Sequence, residues 1–132
     1  MISRRLAMVV IGCAVSAAAA PSYAAVDGWP SFDAQAFEAA QAAGKPILLH
    51  VTAPWCPYCK AQKPILSELL QKPEFKDLVT FEIDFDTQKD LLRKFDVIKQ
   101  STLISFKGAT EVGRSTGDTK ASSIEAQLDR SI

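Results

Sequence analysis

The hydrophobic pattern along the chain switches between strand-like and helical periodicity. Residues 47–52 and 79–85 form short, nearly continuous apolar runs, the pattern of strands covered on both faces. A further apolar run at residues 103–106, followed by Gly108 and residues 111–113, predicts a hairpin. Apolar residues at helical spacing predict four helices: residues 33–43, a helix that opens near residue 56 and continues to residue 70, residues 88–95 and residues 121–131.

This order of elements predicts an α/β protein. Helices alternate with strands along the chain, and a mixed sheet flanked by helices on both faces would bury all of their apolar stripes. The 132 residues leave room for a single domain. No internal repeat or low-complexity stretch interrupts the sequence after Ala25.

The first 24 residues have the layout of a secretory signal peptide. Arg4 and Arg5 precede an apolar, alanine-rich stretch, and the segment ends at Ala24 in the small-x-small pattern of a cleavage site. We therefore expect residues 1–24 to be removed and residues 25–132 to form the mature domain. The expected location of that domain is the periplasm.

Two other uses of this N-terminal segment stay open. A membrane anchor needs about 20 predominantly apolar residues, and this run is shorter and is broken by Pro21. Residues 10–13 loosely resemble a bacterial lipobox, which would make Cys13 a lipidated N-terminus, although the apolar stretch before it is short. We expect no membrane span in the mature chain, with a lipoprotein anchored at Cys13 as the alternative.

The charge balance excludes the electrostatic pattern of a nucleic-acid-binding protein. The chain has 15 basic and 15 acidic residues, and removal of residues 1–24 takes away Arg4 and Arg5 and leaves a net charge of −2. Nucleic-acid binding needs an excess of Lys and Arg on one face. The same cleavage removes Cys13, so the mature chain keeps two cysteines in a compartment where disulfides persist.

These two cysteines, Cys56 and Cys59, have three possible uses. A disulfide that encloses about four residues contributes only roughly 2 kcal/mol in the chain-entropy model, so a purely structural bridge is the weaker explanation. Structural zinc takes four ligands, whereas the mature chain offers two cysteines and one histidine. Redox chemistry accounts for the spacing, the export and the strand–turn–helix context together.

The expected helix predicts a different role for each cysteine. Two residues three apart on the first helical turn share one face and are close enough to form a disulfide. Cys56 lies where free N–H groups and the helix dipole stabilise an anion, which lowers the pKa of its thiol and makes it the attacking group. Cys59 is expected to be more buried and to resolve the mixed disulfide that Cys56 forms with a substrate.

The motif around the two cysteines resembles the active site of the thioredoxin superfamily. Residues 53–60 read Ala-Pro-Trp-Cys-Pro-Tyr-Cys-Lys, with Pro64 in the following helix, and the resemblance covers nearly all of residues 31–132. Residues 37–40 and 44–49 are similar to exported thioredoxin-like proteins and to the periplasmic C-terminal domain of the thiol reductase DsbD. Cys-Pro-Tyr-Cys is also the glutaredoxin motif, but Trp55 and the helix before the first strand fit thioredoxins better.

The resemblance implies a thioredoxin-like fold and a thiol-disulfide oxidoreductase that needs no cofactor. Its partners would be protein disulfide or dithiol substrates and a redox partner protein, and we expect a monomer. Trp55, Pro57 and Tyr58 would form an apolar rim for substrate. The alternative is a binding protein rather than an enzyme: a metallochaperone or metal-binding protein that uses Cys56, Cys59 and His50 without redox turnover.

The sequence departs from the family pattern at two places. Thioredoxins carry a buried carboxylate six residues before the first cysteine, and His50 stands there; it is either a hydrogen-bonded core residue or the group that takes the proton from Cys59. Ser101 stands where the family places a cis-proline beside the disulfide. Because a non-proline cis bond costs about 3–4 kcal/mol, we expect a trans bond with an altered loop, or a strained bond. In the family this loop, here Ser101 and Thr102, binds the substrate backbone.

Overall fold

Residues 28–132 form a four-stranded sheet with helices on both faces in the computed structural model. The predicted signal peptide and Cys13 lie outside the described residues. In chain order the elements are α1 (Ala34–Ala42), β1 (Pro46–Thr52), α2 (Pro57–Leu69), a 3₁₀ turn (Pro73–Phe75), β2 (Val79–Asp84), α3 (Lys89–Lys94), β3 (Thr102–Lys107), β4 (Thr110–Thr116) and α4 (Ala121–Asp129).

The sheet is mixed, as predicted. Its strand order is β2-β1-β3-β4, with β1 and β2 parallel and the pairs β1–β3 and β3–β4 antiparallel. The parallel pair is joined by α2, the crossover that such a connection requires. The predicted thioredoxin-like α/β fold is therefore confirmed.

Alternation along β1 supplies both layers of the core. Its odd-numbered residues contact α1 and α3 on one face, in a cluster with Phe37, Phe81 and Phe95. Leu48 lies on the opposite face, in a cluster that α2, α4 and β3 complete with side chains such as Leu66. This second face is the one that carries the active-site helix.

Local signals in the sequence set where α1 begins and ends. Asp33 is the N-cap of α1, and its carboxylate accepts the backbone N–H of Ala36 at 3.0 Å. Gly44 follows the helix with φ of +69°, a conformation that favours glycine, before the chain enters β1 at Pro46. The predicted helix over 33–43 is thus confirmed to within a residue at each end.

The lead before α1 pairs with the edge of the sheet. Pro30 and Phe32 exchange backbone hydrogen bonds with Glu82 of β2, at 2.8 and 2.9 Å. Trp29 is half-buried and its ring lies edge-on to the imidazole of His50, with centroids 5.6 Å apart. Trp29 also packs against the core cluster on the α2 side of the sheet. The lead has mixed polarity and a proline at position 30, so it carries no strand periodicity that indicates this pairing.

Candidate functional site

Cys56 and Cys59 form a disulfide at the carboxyl end of β1, where the chain turns into α2. Their Cα atoms are 5.3 Å apart, within the usual range for a bridge. Ala53 and Phe85 contact the pair, so the sulfurs lie in an apolar setting. The disulfide expected from the spacing is therefore present.

Cys56 is the N-cap residue of α2. Its backbone is extended (φ −83°, ψ 111°), Pro57 begins the helix, and the Cys56 Sγ atom accepts the backbone N–H of Cys59 at 3.1 Å. Proline suits this first position because its missing N–H would be unpaired there. The N–H of Cys59 in the first turn thus points at the sulfur of Cys56, an arrangement that stabilises a thiolate.

The two cysteines do not differ in burial. Both are 0% exposed in the disulfide form, whereas the sequence argument expected Cys59 to be the more buried. The Cys59 Sγ atom also lies 3.8 Å from the carbonyl oxygen of Val51, inside the fold. Any asymmetry between the two sulfurs in this form comes from their positions on the helix rather than from exposure.

Aromatic side chains flank the buried disulfide at the surface. Trp55 is 55% exposed and Tyr58 is 54% exposed, and Pro57 between them is exposed too. The Trp55 ring stands edge-on to Phe85 at 6.3 Å, and its indole N–H is shared by the two carboxylate oxygens of Asp86 at 3.0 and 3.1 Å. Trp55 and Asp86 are 31 residues apart in the sequence, and nothing in that spacing indicates the contact.

The loop before β3 replaces the family's cis-proline with a trans serine. No cis peptide bond occurs in residues 28–132, and Ser101 adopts φ of +63°. Its N–H donates to the carbonyl of Val51 at 2.8 Å, and its carbonyl accepts the N–H of Gly117 at 3.0 Å. Of the two geometries expected here, the structure has the trans bond with an altered loop, in a left-handed conformation that is uncommon for serine.

The side chains of Ser101 and Thr102 face inward. Both residues are buried, the Ser101 hydroxyl donates to the carbonyl of Gln100, and the Thr102 hydroxyl bonds the carbonyl of Lys99 at 2.7 Å and the Thr116 hydroxyl at 3.0 Å. Their polar side-chain atoms therefore have partners within the protein. A substrate that binds at this loop would therefore contact the backbone of the loop rather than these side chains.

His50 is buried and bonded to Gln62 of α2. The His50 Nε2 atom lies 2.9 Å from the amide oxygen of Gln62, and both residues are almost completely buried. The amide nitrogen of Gln62 in turn donates to the carbonyls of Ser101 at 3.1 Å and Asp118 at 2.9 Å. Sequence reasoning singled out His50 but missed Gln62, which occupies an ordinary helix position in the sequence.

Comparison with known proteins places this site in a family. The family model for thioredoxin matches residues 18–130 of the chain. The chain belongs to the thioredoxin family. Together with the cysteine pair, this membership marks it as a thiol-disulfide oxidoreductase.

Thioredoxin-family relatives cover most of the chain. The crystal structure of Trxlp from Edwardsiella tarda EIB202 is 44% identical, with a TM-score of 0.72, over 74% of this chain and 95% of that one. Thioredoxin H-type of Brassica campestris is 35% identical over 91 residues, 69% of this chain and 72% of the plant protein. The bifunctional thioredoxin reductase/thioredoxin of Mycobacterium leprae is 33% identical over 64% of this chain, which spans only 18% of that protein.

His50 gives this thioredoxin-family site a neutral imidazole where the family has a carboxylate. Burial lowers the pKa of the imidazole from 6.5 to about 4. The hydrogen bond that His50 makes to the amide oxygen of Gln62 raises this pKa, while the nearby positive charge of Lys63 lowers it further. The charged imidazole, which would stabilise the thiolates and favour oxidant behaviour, is therefore not populated at pH 7.

The donor set that the metal-binding alternative requires is not assembled in the described part of the chain. Within residues 28–132, no three His, Cys, Asp or Glu side chains are grouped so that they could hold a metal ion. Cys56, Cys59 and His50 thus do not form a ligand triad. None of the helices in the same range has the length and apolar content needed to cross a membrane.

Proposed function

We propose that this protein is an exported oxidoreductase that reduces or exchanges disulfides in other proteins through its Cys-Pro-Tyr-Cys dithiol. The observation that carries the proposal is the position of Cys56 as N-cap of α2, with its Sγ atom 3.1 Å from the backbone nitrogen of Cys59. A sulfur held in this way is favoured as a thiolate, and the thiolate is the species that attacks disulfides.

The proposed reaction transfers two electrons from the dithiol to a substrate disulfide. The Cys56 thiolate attacks one substrate sulfur, forms a mixed disulfide and releases the other substrate sulfur as a thiolate. The Cys59 thiolate then attacks Cys56, closes the Cys56–Cys59 disulfide and releases the second substrate sulfur. The protons of the dithiol end on the two substrate thiols, so atoms and charge balance.

Protein substrates suit the surface around the disulfide. Trp55, Pro57 and Tyr58 present exposed apolar area next to a pair of cysteines that is itself buried, so a partner must cover this rim while its own sulfur reaches Cys56. A redox partner protein would restore the dithiol across the same rim. We propose a monomer, because one chain contains both cysteines and the rim.

His50 is the proposed acceptor of the proton that Cys59 releases, and this proton then passes to a substrate thiolate. The hydrogen bond to Gln62 holds its N–H on Nε2, which leaves the Nδ1 lone pair to accept a proton. An imidazole with a pKa near 4 is a weak base, so its contribution is small at neutral pH.

A single-turnover assay tests the proposed activity. Protein recovered from cells that express the full chain is reduced, freed of reductant and mixed with insulin, whose reduced B chain precipitates. We expect stoichiometric loss of protein thiols together with insulin reduction, and no reaction when Cys56→Ser replaces the wild type. A wild-type protein that keeps both thiols in the presence of insulin would contradict the proposal.

Export rests on the sequence of residues 1–24 and is tested separately. The full chain is expressed in a Gram-negative host, the periplasmic fraction is collected and the intact mass is measured. A mass that begins at Ala25 supports secretion, whereas a lipid-modified chain that begins at Cys13 and is lost in Cys13→Ser would establish the lipoprotein alternative. Uncleaved protein in the cytoplasm would contradict both.

A further inference from the structure

Gln62 connects three parts of the active site that the chain brings together from distant positions. It lies on α2, three residues after Cys59 and on the same buried face, and it is 0% exposed. Its amide contacts His50 on β1, Ser101 in the loop before β3, and Asp118 in the loop before α4. A buried amide costs free energy unless all of its groups are paired, and these contacts pair them.

The contacts determine which way the amide of Gln62 points. Two carbonyl oxygens, those of Ser101 and Asp118, lie within 3.1 Å of one end of the amide, and that end must be the NH₂ group because an oxygen there would face two acceptors. The amide oxygen therefore faces His50, and His50 must donate to it. The neutral imidazole is thus held as the Nε2–H tautomer.

The same amide supports the loop that lies beside the disulfide. Ser101 has a left-handed backbone and a trans peptide bond. Because the residue is a serine, the loop lacks the rigid proline ring that fixes this position in the family. Three backbone-directed hydrogen bonds hold it: the Ser101 N–H to Val51, the Gly117 N–H to Ser101, and the Gln62 amide to Ser101. The only side chain among these donors is that of Gln62.

The loop is linked through Val51 to the resolving cysteine. The carbonyl oxygen of Val51 accepts the Ser101 N–H at 2.8 Å and lies 3.8 Å from the Cys59 Sγ atom. A shift of the loop would therefore change the surroundings of Cys59 as well as the backbone that a substrate meets. Gln62, which lies on the same helix as Cys59, limits that shift.

We propose that Gln62 is a positioning residue for disulfide exchange, which locks the trans Ser101 loop against the active-site helix and sets the tautomer of His50. The proposal rests on the proposed function, because it assigns Gln62 a part in that reaction. Gln62 does not touch the sulfurs, so its effect is on how a protein substrate is aligned rather than on the reactivity of Cys56.

Two disulfide substrates separate alignment from reactivity. Protein recovered from cells that express the full chain is reduced and mixed either with insulin or with 5,5′-dithiobis(2-nitrobenzoate), a small disulfide that needs no loop contact. For Gln62→Met we expect the rate constant with insulin to fall about tenfold, as for the loss of hydrogen bonds that fix a docking loop. The rate constant for the first attack of Cys56 on the small disulfide, which precedes any step of Cys59 or His50, should stay unchanged.

Gln127 provides a matched control. It is also a buried helical glutamine, and its amide bonds Leu103, Ser105 and Ser115 on β3 and β4 rather than His50 or the Ser101 backbone. Gln127→Met should lower the melting temperature but leave the ratio of the two rate constants at the wild-type value. A ratio that is unchanged in Gln62→Met, or that falls equally in Gln127→Met, would overturn the proposal.

The tautomer of His50 can be measured in the wild-type protein, so this test does not require any variant to fold. His50 is the single histidine of the chain, so its two ring nitrogens can be assigned in a ¹⁵N spectrum of the untagged protein. We expect the N–H on Nε2 at pH 7 in the wild type; an N–H on Nδ1 would remove the basis of the proposal. If the wild type reduces neither disulfide, the proposed function fails, while this spectrum still decides the contact between His50 and Gln62.

Discussion

The indole N–H of Trp55 is shared by both carboxylate oxygens of Asp86, at 3.0 and 3.1 Å. The contact joins the residue before Cys56 to the turn that follows β2, 31 positions further along the chain. It orients a ring that is half exposed to solvent and that contacts Phe85 edge-on. One side of the apolar rim thus takes its orientation from a carboxylate.

Asp86→Ala should free the Trp55 ring. We expect a loss of about 1 kcal/mol in the free energy of unfolding, since the bond is partly open to solvent, and a change in the tryptophan emission of the folded protein. The measurement is made in a Trp29→Phe background, where Trp55 is the remaining tryptophan. Asp86→Asn, which keeps an acceptor oxygen, should retain most of the wild-type emission; an identical spectrum in Asp86→Ala would contradict the contact.

Burial of His50 predicts how stability depends on pH. Its pKa is about 4 in the folded protein and near 6.5 in the unfolded chain, so between these values the unfolded chain binds the proton more readily. The free energy of unfolding should therefore fall as the pH drops from 7 to 4, by roughly 3 kcal/mol from this group. Urea unfolding of the wild type at several pH values measures the change.

His50→Gln is the control for this pH dependence. Lys63 and Glu82 line the same cavity as His50 and carboxylates titrate below pH 5, so part of the acid loss belongs to other groups. The difference between wild type and variant isolates the imidazole: the wild type should lose more stability than His50→Gln between pH 7 and 5. Parallel curves, or a histidine proton resonance that titrates near pH 6.5, would disprove the lowered pKa.

The roles of the two cysteines predict opposite results for two alanine variants. Cys59→Ala leaves an attacking thiolate without a resolving partner, so mixed disulfides with substrate proteins should accumulate on Cys56. Cys56→Ala removes the sulfur at the N-cap of α2 and should trap far less. Non-reducing gels of cells that express either variant, followed by mass spectrometry, make the comparison; equal trapping would contradict the assignment of Cys56 as the attacking group.

Local patterns were enough to predict most of the fold and the redox pair. The helices over 33–43 and 121–131, the parallel strands and the Cys56–Cys59 bridge all follow from periodicity, capping residues and spacing within a few positions. The hairpin strands are longer than predicted, because β4 is polar on its exposed positions and lacks a clear apolar alternation. These features depend on neighbours in the sequence.

The remaining features of the site depend on contacts between distant residues. Gln62 is 39 positions from Ser101, and a glutamine at an ordinary helical position carries no signal that it is buried. Asp86 meets Trp55 only because β2 lies beside β1 in the sheet. Trp29 reaches His50 because the N-terminal lead pairs with β2. Sequence periodicity describes individual elements, whereas these contacts require the assembled sheet.

The backbone conformation of Ser101 predicts how substitutions at this position change the stability of the protein. Proline fixes φ near −65° and has no N–H, while Ser101 has φ of +63° and donates to Val51 at 2.8 Å. Ser101→Pro, which restores the residue type usual in the family, should therefore lower the free energy of unfolding by more than about 1 kcal/mol. Glycine accepts a left-handed backbone and keeps the N–H, so Ser101→Gly should stay within about 1 kcal/mol of the wild type. Urea titration of the three proteins makes the comparison, and a proline variant as stable as the wild type would show that the loop readily adopts the family's own geometry.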